Sequence, residues 1–294
     1  MYNTYGDFMF SLNFKVDKDY EIKEFLSFNK FSNKMITFYL HNQHLISLNN
    51  HKLDTYNLKK NDVLTITFID EESNINIIDG EINIIYEDEY ILIINKPKNI
   101  AVNGTMRHYK YHLSGMIYKY FLENNIKSTV HFVNRLDYET SGLIIIAKHQ
   151  YIHNLFKYVS INKLYYCIVE GILNKKEDLI DKPILKLEND PKKRIIDEKG
   201  KPSKTEYKVI KEFNNFSLIN VKLLTGRTHQ IRLHFSSINH PLIGDVLYNS
   251  KIDNNNDILL FSYHLDFIHP ITNKKVDITL PLNIDFINFI NKYN

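Results

Sequence analysis

The strongest constraint on the fold is Leu143–Ile144–Ile145–Ile146–Ala147, five apolar residues with no polar side chain among them. A strand with one wet face alternates polar and apolar residues. An unbroken run with β-branched residues at its centre predicts a strand buried on both faces. Ile91–Leu92–Ile93–Ile94 carries the same signature, and Asn95–Lys96–Pro97 ends it, because proline cannot donate to a ladder. Just ahead of the first run, across Thr140–Ser141–Gly142, stand Arg135 and Asp137. A lone Arg-x-Asp is usually a solvated ion pair, so the rest of the chain has to decide whether this one differs.

Composition narrows the class. A chain of 294 residues suggests one large or two modest domains. No stretch approaches the ~18–20 apolar residues that span a bilayer. The opening MYNTYGDFMF shows no basic segment followed by an apolar one, so no secretory signal is expected. A single cysteine, Cys167, excludes internal disulfides and a cysteine-based zinc site, and it fits a reducing cytoplasm. A net charge of +3 permits a nucleic-acid partner without arguing for one.

The polar segment 71–81 separates two units, residues 1–75 and 76–294. In the first, Asn61–Asp62 predicts a turn before an alternating strand ending near Phe68. In the second, Ile152, Leu155, Phe156 and Val159 fall at helical spacing and predict an amphipathic helix over 150–161. The basic stretch Asn189–Lys204 predicts an exposed loop or hairpin with solvated charges. Between Leu223 and Asp245, Gly226 ends a strand-like run and Thr228 is the expected helix cap. Ile231, Phe235 and Ile238 form one apolar stripe, and Asn239 and Pro241 supply the stop. Arg232 sits beside that stripe, and a partly buried guanidinium requires an anion. His229 and His234 lie about 140° apart around a helix, which disfavours a shared metal. Ser141 lacks the Gly-x-Ser-x-Gly elbow of a nucleophilic serine.

Together these pieces resemble the Rlu-type pseudouridine synthases, which modify large-subunit ribosomal RNA and tRNA. The family's His-Arg-Leu-Asp-x-x-Thr-Ser-Gly-Leu stands here as Asn134–Arg135–Leu136–Asp137–Tyr138–Glu139–Thr140–Ser141–Gly142–Leu143. YEDEYILIINKP resembles the family's opening segment, Lys163–Leu164–Tyr165 its Lys-x-Tyr motif, and Gly226–Arg232 its Gly-Arg-Thr-His-Gln-Ile-Arg block. His240–Pro241, Gly244–Asp245 and a terminal piece, LLFSYHLDFIHPITNKKVDITLPL, follow in the family's order. The resemblance extends over residues 82–285 and departs at Asn134, where the family has histidine. It implies an α+β fold with a central, mostly antiparallel mixed sheet flanked by helices and loops. EIKEFL and LNNHKLDTYNLKKNDVLTI resemble, in degenerate form, a small alpha-L RNA-binding domain at the N-terminus.

The implied reaction detaches uracil from its sugar, turns it, and reattaches it through carbon, with no cofactor and no metal. The resemblance assigns the nucleophile to Asp137, leaving open whether it attacks the sugar, takes a proton or adds to the base. It makes Arg232 the partner that keeps Asp137 ionised. Arg135 fills the space left by the extruded uridine. Tyr165 is the platform under uracil and a base for product release, and Ile243 an apolar contact to it. Asn134, Lys163, Arg227, His229 and Gln230 complete the substrate set. An aspartate at the edge of a buried strand answers the need to hold a nucleophile accurately. The expected protein is a cytoplasmic monomer acting on an RNA stem-loop, with no membrane partner. The alternative, a non-catalytic RNA-binding or ribosome-assembly protein, would be marked by loss of Asp137 or Arg232, and both are present. A glycosidase would want a second carboxylate; Glu139 is by default an exposed loop residue.

Overall fold

The computed structural model describes residues 8–69, 71, 73–104, 109–188, 190, 193–252, 254 and 257–293. Residues 1–7, read above for a secretory signal, lie outside these. So do Glu72 and positions 189, 191 and 192 of the basic stretch.

Among the described residues a ten-stranded sheet forms the centre. From one edge its strands are Glu177–Asp181, Lys204–Glu212, Phe216–Leu223, Asn162–Glu170, Leu260–Ile268, Ser141–Ala147, Ile91–Lys96 and Asn83–Glu87. Lys275–Thr279 adds to Leu260–Ile268, and His131–Phe132 to Ser141–Ala147. Ser141–Ala147 runs parallel to Leu260–Ile268, and the other pairings of the sheet are antiparallel. This is the mixed, mostly antiparallel α+β arrangement expected.

The two apolar runs pair with each other at the centre, Ile144 opposite Ile94 and Ile146 opposite Leu92. Alternation sends their side chains to opposite faces. Leu92, Ile94, Ile144 and Ile146 meet the helix Leu113–Glu123 through Leu113, Met116, Ile117 and Phe121. Ile91, Ile93, Leu143, Ile145 and Ala147 join a different cluster, which contains the core of the N-terminal unit. That unit has its own antiparallel sheet of Phe8–Lys15, Val63–Ile69, Ile46–Leu48 and His51–Lys52, with helices Ile22–Phe28 and Asn33–His41. Asn61 takes a φ of 75° at the predicted turn, and the strand after it alternates in burial as predicted. On that face the helix Gln150–Leu155 lies against the strand Ser141–Ala147, and the N-terminal unit completes the same cluster.

Its contact is aromatic. The Tyr151 ring lies tilted against Phe31 and Phe68, with centroids 4.4 and 5.2 Å away, and its hydroxyl donates to the Asn29 carbonyl at 2.9 Å. The helix carrying Tyr151 is shorter than predicted. It spans Gln150–Leu155, tightens into a 3-10 turn over Phe156–Tyr158, and leaves Val159 extended. Val159 packs on the core from outside the helix because the chain there turns into the strand Asn162–Glu170.

The separating segment is tied down at Glu71. Its carboxylate accepts from the Gln150 N–H at 2.9 Å and the Ser128 hydroxyl at 3.2 Å, and pairs with His131 at 2.6 Å and His149 at 3.4 Å. Burial pulls His149 down to about 4, with Glu71 drawing it back up. Between pH 6.5, the ordinary histidine value, and about 4, the unfolded chain binds a proton at this position that the folded chain refuses. Stability is therefore expected to fall as pH drops through that window. His149 Nδ1 also accepts from the Tyr151 N–H at 2.9 Å, a capping bond that asparagine can supply. His149→Asn should make the acid limb of unfolding shallower, as measured by urea denaturation at stepped pH. An unchanged limb would remove His149 from the explanation.

Candidate active site

The turn that carries Asp137 is fixed before the side chain is considered. Gly142, at the strand's start, has a φ of 116°, and a Cβ there would lie 2.2 Å from the Ser262 carbonyl oxygen. Only glycine allows the neighbouring strand so close. Asn134 Nδ2 donates to the Leu143 carbonyl at 3.3 Å, and the Ile145 N–H donates to Asn134 Oδ1 at 2.7 Å. The amide at the family's histidine position thus laces the incoming chain to the strand. Lys96, fully buried at the end of its strand, donates from Nζ to the carbonyls of Pro97, Ile100 and Tyr138 at 2.9, 3.0 and 3.2 Å. The Asn99 N–H donates to the same Tyr138 carbonyl, and the Thr140 N–H closes the turn onto the Asp137 carbonyl. Burial drives the Lys96 ammonium down to about 8, while the charges of Asp137 and Glu139 pull the other way.

Asp137 itself is half-buried, and among the described residues no hydrogen bond or ion pair reaches its carboxylate. This corrects the expected pairing with Arg232. The Arg232 guanidinium is held as a fork by Asp245, Nε to Oδ2 at 2.7 Å and Nη2 to Oδ1 at 2.9 Å, and Nη1 reaches Glu139 at 3.3 Å. Asp245 is fully buried and could not be left without a cation, so it takes the fork. Burial alone would lower the arginine's affinity for its proton, but the Asp245 bond outweighs this and holds it above the ordinary range. Asp137 acts on Arg232 only through its field.

Arg232 rises from the helix Gln230–Ser236, whose cap position is His229 with a φ of 56°, so Thr228 is not the cap. Gln230 makes this turn possible. Its Oε1 accepts from the Thr225 hydroxyl and the Arg227 N–H, and its Nε2 donates to the Lys204 carbonyl and Thr205 Oγ1. With both ends of the amide committed to the protein, Gln230 shapes the loop. Asn239, at a φ of 64°, ends the segment as predicted.

A cleft of roughly 700 Å³ opens between the Asp137 turn and this helix. Asp137 is its single lining carboxylate among the described residues, facing Arg135, Lys163, Lys186, Arg194, Lys199, Lys201, Arg227 and Arg232. Asn134, Tyr165 and Gln230 also line it. His229 and Ile243 do not. The His229 ring turns to Tyr248, hydrogen-bonding with its hydroxyl at 3.0 Å, and Ile243 is fully buried with Ile168, Phe261 and Phe286. Ile243 is thereby corrected from a base contact to a core residue. His234 meets Thr205 and the Lys182 carbonyl, away from His229's partner.

Tyr165 lies almost buried in the strand opposite, and burial pushes its phenol up to about 12. A phenol so reluctant to ionise is a poor base at neutral pH. Lys163 is drawn below its ordinary range by burial.

Sequence reading missed Asp245 and Tyr248 as parts of the site, and it read the basic stretch as solvated. In the structure Ile184–Lys186 and Arg194–Ile196 form a hairpin whose Ile184 and Ile196 pack on Leu233 and Tyr248. That packing turns Lys186, Arg194, Lys199 and Lys201 into cleft wall. Tyr248 joins the two sides, accepting from the Arg194 N–H at 3.1 Å with the Arg232 guanidinium 5.4 Å over its ring.

Residues 90–237 match the family model described as RNA pseudouridylate synthase. An uncharacterized RNA pseudouridine synthase of Bacillus subtilis, YjbO, is 30% identical over 245 residues, 81% of this chain and 87% of that one. The chain belongs to the RNA pseudouridylate synthase family. Ribosomal large subunit pseudouridine synthase C of Buchnera aphidicola (from Acyrthosiphon pisum) is 35% identical over 212 residues, 67% of this chain and 66% of that one. The match thus spans just under two thirds of the Buchnera protein. Human RNA pseudouridylate synthase domain containing 4 superposes with a TM-score of 0.57 at 18% identity, covering 72% of this chain and 92% of that one. That likeness is one of fold. No described helix is long and apolar enough to cross a membrane.

Proposed function

We propose that the chain isomerises specific uridines of RNA to pseudouridine, with Asp137 as the nucleophile. The observation that carries this reading is one unencumbered carboxylate in a cleft whose other charged lining groups are all cations. Such a wall attracts a phosphate backbone, and a single carboxylate free of hydrogen bonds is available to a sugar or base carbon. In the net reaction the bond from uracil N1 to C1′ of ribose breaks and one from C5 to C1′ forms. The hydrogen leaves C5 and a proton ends on N1, so no external reagent is consumed. Attack on the sugar, proton abstraction and addition to the base all call on the same carboxylate. The uridine leaves its stack to enter the cleft, Arg135 occupies the gap, and the Tyr165 ring forms the wall beside uracil. Lys163, Arg227 and the hairpin cations meet phosphates.

Large-subunit ribosomal RNA, for which the Buchnera relative is named, is the first candidate substrate, and tRNA the second. We place the protein in the cytoplasm as a monomer, with residues 1–75 orienting the RNA against the catalytic residues 76–294. The test is to map pseudouridine in ribosomal RNA and tRNA from cells with and without the gene. Discrete sites should revert to uridine, and identical maps would overturn the reading.

A further inference from the structure

We infer that Glu139 is a positioning residue for Asp137, acting through Arg232; the inference rests on the synthase reading above. Because no hydrogen bond or ion pair holds the Asp137 carboxylate among the described residues, its place is set by its neighbours in the chain, Leu136 packed with Ile231 and Phe235 before it and the turn after it. The Tyr138 carbonyl is held by Lys96 and Asn99, and the Thr140 N–H folds back to Asp137. Both of these ties stay on the near wall of the cleft. Glu139 reaches the far wall, where its carboxylate pairs with Arg232 Nη1 at 3.3 Å.

Arg232 is fit to be that anchor. Its side chain is 3% exposed, its other two bonding nitrogens are locked to Asp245, and its guanidinium lies against the Tyr248 ring. A cation fixed from one side transmits its position to whatever it grips on the other. Glu139, with a third of its side chain exposed, is the charged link between that fixed point and the turn, beside the apolar contact that Leu136 makes in one cluster with Ile231 and Phe235. A glutamine in its place keeps the shape and one weak acceptor but gives up the charge-assisted bond.

The test combines kinetics on a uridine-bearing RNA that the wild type modifies with amide hydrogen exchange at Asn99 and Thr140. Glu139→Gln is expected to lower kcat by about tenfold with KM within about twofold, since a small displacement of a reacting group acts on the chemical step. In an Arg232→Lys background the same change should add little, because both substitutions loosen one link. Exchange at Asn99 and Thr140 should quicken in Glu139→Gln with or without RNA. Unchanged kcat, or effects that multiply in the double variant, or unaltered exchange would each overturn the assignment. A wild type inactive on every RNA would count against the synthase reading, and exchange would then decide the role of Glu139 by itself.

Discussion

Replacing Asp137 with asparagine is expected to abolish pseudouridine formation, by roughly four orders of magnitude or more, while melting and RNA affinity stay near wild type. A nucleophile that forms and breaks a covalent bond has no substitute in a neutral amide. Loss of activity alone would be weak evidence, because many substitutions unfold a protein. Here the geometry separates the two outcomes. The Asp137 carboxylate holds no hydrogen bond or ion pair among the described residues, and the turn is kept by Asn134, Lys96 and the backbone. A substitution that removes no partner should shift stability by no more than about 0.5 kcal/mol. Removing one anion from a cleft lined by cations should leave RNA binding equal or slightly tighter. Turnover by purified Asp137→Asn protein, followed by release of label from C5 of uridine, would dismiss the nucleophile assignment.

The sequence announced the central strands because their signal is local. Unbroken apolar runs at Ile91–Ile94 and Leu143–Ala147 could only be dry on both faces, and they are. What dries each face is a long-range matter. Nothing in Leu143 or Ile145 says that the cover is the helix Gln150–Leu155 with the N-terminal residues Phe31 and Phe68 packed on its Tyr151. The site shows the same division. Asp137 and Arg232 were visible through motifs at fixed spacing, and both reach the cleft. The partner of Arg232 was not visible, since Asp137, Glu139 and Asp245 all offer a carboxylate and the choice depends on how the chain turns. Gly244, at a φ of 78°, packs so closely on the Asp257 carbonyl that a Cβ would lie 2.4 Å from its oxygen, and this turn aims Asp245 inward. Charge composition is equally mute at the hairpin. Lys199 and Lys201 would look the same in a solvated loop, and only the packing of Ile184 and Ile196 makes them part of a wall.

The pairing of Arg232 with Asp245 gives the largest expected effect on stability. Arg232→Met keeps the apolar stem but strips both fork bonds from a carboxylate with no exposure to water. Breaking a buried pair from one side costs about 3–5 kcal/mol, and the stranded carboxylate would keep only the Tyr248 N–H, which donates to Asp245 Oδ1 at 3.3 Å. A large drop in the urea midpoint is therefore expected, together with loss of turnover. Arg232→Lys should be intermediate, since an ammonium supplies charge without the planar fork. The decisive measurement is the double variant Arg232→Met with Asp245→Asn. If the instability comes from a stranded carboxylate, removing its charge should recover a good part of the stability, so the two changes together cost less than their sum. Turnover should not return with it, because the field beside Asp137 and the grip on Glu139 are gone. A double variant no more stable than Arg232→Met alone would show that the guanidinium's packing against Tyr248, and not the Asp245 carboxylate, was what the fold depended on.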